Sequence, residues 1–245
     1  LGGFLSGLFG YRIPFFITGA LMFCVFLSTW LLTVEHFTPI KKEAMKPMKE
    51  IIHNLDNPPL IFVMFLTTMI VTSSTMSIDP IISLYVRQLM GGHGNIAFVA
   101  GIVAATPGLG TLLAASKVGH TMDRIGPEKV LQIGILTAFI LFIPMTITKS
   151  PWVLAFWRFL LGLANAALMP ATQTVLTLDV PTEAFGRIFS YNQSFQAAGA
   201  VLGSILGSFI SGISSYEMVF VITGLTLLLN FILVMLVRPK KQLTE

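Results

Sequence analysis

The chain has 245 residues, of which 54% are hydrophobic and only 11% are charged, with a formal net charge of +4. Soluble domains carry about 25% charged residues, so this surface cannot face water all round, and lipid is the alternative solvent. The positive charge does not mark a nucleic-acid binder, because it sits in short clusters between apolar runs, and the single cysteine, Cys24, excludes a disulfide framework or a metal–thiolate site.

A bilayer core needs about 20 apolar residues per helix, and helices are expected because lipid cannot satisfy exposed backbone groups. Runs of that kind occur at 14–34, 59–84, 96–118, 130–148, 152–178, 189–213 and 218–237, and 1–9 reads as the tail of an eighth. The opening Leu1-Gly2-Gly3 has no initiator Met and no basic n-region. It reads as a cut inside a longer protein rather than a signal peptide. Turn residues connect the runs: Gly10-Tyr11-Arg12, Gly91-Gly92-His93-Gly94, Lys149-Ser150-Pro151 and Ser214-Ser215-Tyr216.

The long polar connection 35–57 carries Lys41, Lys42, Lys46 and Lys49. Within it Met48, Ile51, Ile52 and Leu55 follow a helical period, which predicts a short amphipathic helix on the membrane surface. A plain linker between two bundles is the other reading. Alternate connections hold further basic residues: Lys117, Arg124 and Lys129; Arg187; and the tail Arg238, Lys240 and Lys241. The opposite side holds only Arg12, Arg87 and Lys149, so the positive-inside rule places the linker and the C-terminus in the cytoplasm.

An internal repeat joins the two ends of the chain. With Leu1 set on Leu206, Leu1-Gly2-Gly3-Phe4-Leu5-Ser6-Gly7 falls on Leu206-Gly207-Ser208-Phe209-Ile210-Ser211-Gly212. Without a gap, Tyr11 then meets Tyr216, Phe15 meets Phe220, and Ile17-Thr18-Gly19 meets Ile222-Thr223-Gly224. Parallel repeats of this kind mark many secondary transporters.

In the run from Pro59, several Ser and Thr residues, Thr72 among them, precede Asp79-Pro80. Pro80 should kink the helix near its end. Asp79 is either a buried carboxylate with a raised pKa or an ionised group at a water-exposed mouth. In the run from Trp152, Arg158, Gly162, Asn165, Met169 and Gln173 share one helical face. An intramembrane Arg158 either faces protein or a wet cavity, or snorkels to the interface. Two small-residue stripes predict close helix approach: Gly199, Gly203 and Gly207, and Gly101, Ala104, Gly108 and Thr111. Asn192 and Gln196 extend the glycine face as interhelical hydrogen-bonders or cavity lining. Tyr191, Phe195, Met64, Met69 and Met169 could furnish an adaptable apolar pocket, with Met76 and Thr72 beside it.

The turn Gly119-His120-Thr121-Met122-Asp123-Arg124-Ile125-Gly126 resembles the cytoplasmic loop signature of the major facilitator superfamily. Gly119 and Gly126 are expected to permit a tight reversal, and Asp123 to take charge-assisted bonds from a helix N-terminus or a neighbouring Arg. Gly2-Gly3 followed by Gly10-Tyr11-Arg12-Ile13-Pro14-Phe15 resembles the end of the fifth-helix signature of bacterial drug:proton antiporters. Arg158 with Gly162 and the small residues after it resembles the superfamily's fourth-helix signature, although the expected Gln before that glycine is Leu161.

The resemblance implies an all-α membrane protein, the C-terminal six-helix bundle of a twelve-helix major facilitator fold. Residues 1–34 would close the N-terminal bundle, 35–57 form the cytoplasmic linker, 58–238 the C-terminal bundle and 239–245 the tail. It also implies export of amphipathic drugs by alternating access, exchanged for protons, in the cell (inner) membrane. The partners would be a small-molecule substrate, protons, the lipid bilayer and the N-terminal bundle of the same polypeptide. Asp79 and Arg158 are the proton-coupling candidates. Met69, Thr72, Met76, Asn165, Met169, Gln173, Tyr191, Asn192 and Gln196 are the cavity candidates. Gly119, Asp123, Arg124 and Gly126 form the conformational loop.

Enzyme signatures are missing: there is no His-Glu-x-x-His, Gly-x-Ser-x-Gly or phosphate-binding glycine loop, so neither catalysis nor a metal or cofactor is expected. Two other functions stay open, a facilitator for one sugar, organic acid or peptide, and a membrane scaffold or sensor without transport.

Overall fold

The computed structural model describes residues 12–33 and 57–237, and every described element is helical. The first block of the internal repeat, most of the linker with its amphipathic segment, and the basic tail lie outside the described residues. The chain divides into two compact units, Leu1–Glu50 and Ile51–Glu245.

In the first unit α1 (Arg12–Leu32) is a single apolar span. Its hydroxyls suit lipid because each is satisfied within the helix. Thr18, Ser28 and Thr29 donate to the carbonyls of Pro14, Cys24 and Val25 at 2.8, 2.8 and 2.9 Å.

The second unit runs α2 (Pro58–Met76), α3 (Ile82–Leu89), α4 (Ile96–Ile125), α5 (Pro127–Thr146), α6 (Pro151–Asp179), a short 3₁₀ turn (Thr182–Ala184), α7 (Phe185–Ile213) and α8 (Tyr216–Leu236). All but α3 are long and apolar enough to cross a membrane, which gives this unit six spans and agrees with the apolar runs. Proline occupies the first turn of α2, α5 and α6, where its missing N–H costs nothing. Asn95 and Ser215 cap α4 and α8, accepting from Phe98 N at 3.2 Å and Met218 N at 3.3 Å. With Leu1 set on Leu206, α1 overlies α8 within one residue, so the repeat coincides with helix boundaries.

Glycine spacing sets the bundle's tightest seam. A Cβ on Gly199, Gly203 or Gly207 of α7 would collide with the carbonyl of Met69, Ser73 or Ser77 of α2. Both series rise together in steps of four, so the two helices run parallel and in register, backbone on backbone. Phe195, one turn earlier, stacks on Phe65 at 5.3 Å between centroids.

Among the described residues the second stripe, Thr111 apart, meets no partner helix. Gly101, Ala104 and Gly108 are exposed, and nothing lies within contact of a Cβ at either glycine. The packed face of α4 is Val99, Val103, Pro107 and Gly110 instead. Small-residue spacing shows where helices could approach, but the partner decides where they do. Here the missing side chain of Gly162 on α6 accepts the Pro107 carbonyl. Only Thr111 of the predicted set reaches α6, donating to Gly162 O at 3.0 Å.

Buried polar pairs lock α8 to α2: Thr67 Oγ1 donates to Asn230 Oδ1 at 2.9 Å, and the Ser77 and Thr223 hydroxyls bond at 3.0 Å. Tyr85 of α3 is fully buried against Phe220, and its hydroxyl donates to Thr148 O at 3.2 Å, tying α3 to the α5–α6 connection.

The run 59–84 is not one kinked span. The helix stops at Met76 and restarts as α3, with Ser77–Ile81 between them. Pro80 supplies no N–H and disfavours the helical conformation at Asp79. The ladder there shortens, with Ile78 N bonding Thr75 O at 3.3 Å and Ile81 N bonding Ile78 O at 3.1 Å, before Tyr85 N resumes the α pattern on Ile81 O.

Candidate functional site

The break places Asp79 at the exposed end of α2, facing α6. On α6 the buried residues Leu154, Ala155, Arg158, Leu161 and Gly162 form one inner stripe, so Arg158 points into the bundle and not toward the interface. Its Nη2 lies 3.6 Å from Asp79 Oδ1. The arginine is 4% exposed, whereas the aspartate side chain is 49% exposed. Arg158 Nε and Nη1 have no hydrogen-bond partner among the described residues. A buried guanidinium thus rests on one half-exposed carboxylate.

The cavity candidates lie on three helices, and α2 packs against both α6 and α7. On α2, Thr72 is buried with an unpartnered hydroxyl, while Met69 and Met76 are half-buried. On α6, Asn165 and Met169 are half-buried and Gln173 is exposed. On α7, Asn192 is 2% exposed with Oδ1 unpartnered, Gln196 is half-buried and Tyr191 is exposed. The structure therefore joins Asp79 with Arg158, spreads the other candidates along neighbouring helices, and leaves Tyr191 and Gln173 exposed.

The loop reading changes in one respect. Gly119, Asp123 and Arg124 belong to α4, which continues to Ile125, and all three are exposed. Gly119 makes no reversal because nothing interrupts the helical ladder at that point. Gly126 does, with φ of 88°, donating to Met122 O at 2.9 Å and handing the chain to Pro127. Among the described residues Asp123 and Arg124 form no ion pair.

Sequence reasoning missed the interior pairs. Asn230 was their available signal, an amide stranded in the most apolar span of the chain. Among the described residues no group of His, Cys, Asp and Glu is placed to hold a metal.

Comparison with known proteins agrees with this architecture. Residues 88–245 match the Major Facilitator Superfamily family model. The chain is 44% identical over 231 residues to the Multidrug resistance protein MdtG of Salmonella paratyphi C (strain RKS4594). The proteins of that name from Salmonella arizonae (strain ATCC BAA-731 / CDC346-86 / RSK2980) and Salmonella newport (strain SL254) show the same identity. Each alignment covers 94% of this chain and 57% of the relative, so the chain spans little more than half the length of these curated proteins. Six packed apolar spans, a helix-terminal Gly126 turn and a family match over more than half the chain lead to one assignment: this is a multi-pass membrane chain of the Major Facilitator Superfamily.

Proposed function

We propose that the chain is the C-terminal part of a secondary active transporter that exports amphipathic drugs or related small molecules by alternating access, driven by proton influx. The observation that carries this reading is the ion pair between buried Arg158 on α6 and half-exposed Asp79 at the break of α2. The relatives' name, multidrug resistance protein, supports the cargo class, and their greater length supports a missing sister bundle. In this reading 1–34 completes the N-terminal bundle, 35–57 is a cytoplasmic linker, 58–238 is the C-terminal bundle and 239–245 a cytoplasmic tail, all in the inner membrane.

The cavity wall on this side would be the α2 and α6 faces carrying Met69, Thr72, Met76, Asn165, Met169 and Gln173, with Tyr191, Asn192 and Gln196 of α7 beside them. Asp79 carries the proton. When it is neutral, Arg158 loses its counter-charge, and the balance between two packings of α2 against α6 shifts. A proton entering across 100 mV releases about 2.3 kcal/mol, enough to tilt a nearly balanced equilibrium.

The test is dye efflux by the full-length protein in vesicles with an imposed pH gradient. Asp79→Asn should lose most proton-driven efflux while its yield and elution profile stay those of the wild type. Transport at the wild-type rate would remove Asp79 from the mechanism.

A further inference from the structure

We infer that the seam between α5 and α8 holds a lipid: one acyl chain of an amine-bearing phospholipid lies in a groove there, with its phosphate against Lys149 and its ammonium toward Glu217. The groove has a volume of about 270 Å³ and lies toward the α3 end of the bundle, since its floor residue Phe220 packs on Tyr85. Its floor is Phe142 and Phe220, 2% and 0% exposed, with ring centroids 6.4 Å apart. Gly224 keeps it open, since a Cβ there would already press on Phe142 Cβ at 3.2 Å. Ile143 and Leu225 form the rims and are about half exposed.

The position of the opening selects the occupant. From Val130 to Thr146 on α5, and from Met218 to Leu236 on α8, no residue is charged. The groove therefore opens to hydrocarbon and not to water, and an apolar cleft of this kind does not hold water. Sites for drug-sized ligands run about 300–1,000 Å³, so this one is better matched to a single linear chain than to a ring system.

The mouth supplies the headgroup chemistry. Thr146 lines the groove at its end, and Lys149 follows three residues later. Across the mouth, Glu217 precedes Phe220 by three residues and accepts from Gln88 Nε2 at 3.4 Å. Both sides converge on Tyr85. Its hydroxyl donates to Thr148 O at 3.2 Å, and burial together with the Glu217 charge pushes its phenol up to about 12. Neither Lys149 nor Glu217 is in an ion pair among the described residues. One free cation and one anion at a hydrocarbon–water boundary complement a phosphate and a primary ammonium. Glu217 disfavours a purely anionic headgroup, and a quaternary amine has no N–H to donate to it.

The experiment mixes the purified full-length protein with phosphatidylethanolamine, phosphatidylglycerol or phosphatidylcholine of identical chains and measures retained lipid by native mass spectrometry. Phosphatidylethanolamine should be retained several-fold more than either of the others. Lys149→Gln should lower retention several-fold, and Glu217→Gln should erase the preference over phosphatidylglycerol. Val221→Trp, which fills the groove from its rim, should abolish retention, with Leu225→Phe as the milder filler if the tryptophan variant fails to fold. Equal retention of the three headgroups by the wild type, or undiminished retention in the filled variants, overturns the assignment. Displacement of the lipid by an amphipathic dye at equal concentration also overturns it, because the groove would then be a cargo site.

Discussion

The carbonyl of Pro107 on α4 occupies the place where a side chain on Gly162 of α6 would stand. Backbone, unlike the end of a flexible side chain, has no rotamer with which to withdraw. Pro107 leaves its helix short of one N–H, and the helix pair is held across the gap by Thr111 donating to Gly162 O. Gly162→Ala should therefore destabilise by about 1–3 kcal/mol, the usual penalty of overpacking. Thermal unfolding of the full-length protein in detergent checks this.

The ion pair makes a separable prediction. Removing one partner of a fully buried pair costs about 3–5 kcal/mol, and the half exposure of Asp79 reduces that figure to a fraction. Asp79→Asn should lower the melting temperature modestly, because Arg158 is left buried without a counter-charge. Combining it with Arg158→Leu should recover part of the loss. A double-mutant cycle with no coupling between the two positions would show that the 3.6 Å contact carries no energy.

Asn230 and Thr67 test the interior of the bundle. Asn230→Leu leaves the Thr67 hydroxyl without its long-range partner, at a cost of about 0.6–1.7 kcal/mol for an interhelical bond in a membrane protein. Adding Thr67→Val removes the stranded hydroxyl and should bring stability back toward wild type. Unfolding in a denaturing detergent series reads both steps.

The α4–α5 junction discriminates between its two glycines. Gly126, with φ of 88° and ψ of 146°, occupies a region closed to L side chains, so Gly126→Ala should cost about 1–3 kcal/mol. Gly119 is helical and has open space around it, so Gly119→Ala should be neutral or stabilise by about 0.5–1 kcal/mol. Equal losses at both positions would mean that Gly119 also makes the turn.

Much of the architecture was legible because lipid imposes a length and an apolar content on every span. Those two constraints alone locate α1, α2 and the five helices from α4 to α8. The glycine series on α7 was legible for a related reason, since three glycines at spacing four have no use on a surface that packs nothing. What periodicity could not supply was the partner. Gly101 and Gly108 share a helical face and meet nothing among the described residues, while Gly110 and Pro107 do the packing because Gly162 lies opposite. In the site, Asp79 and Arg158 were each conspicuous as charges in apolar runs. Their contact was not, because it depends on how Pro80 ends α2, and on α6 standing next to that break. The extension of α4 through Asp123 was missed because charged residues after an apolar run look like a loop, although nothing in 117–125 interrupts a helix.

The glycine seam ends at Ser77, the residue at which the helical ladder of α2 gives way. Below that point α2 and α7 pack backbone on backbone. Above it the segment from Ile78 through α3 is held by side chains instead, with Ile81 packed on Ile210 of α7 and Val219 of α8. The change from backbone-on-backbone to side-chain packing therefore falls at the break, and the one acidic residue in Ser77–Ile81 is Asp79.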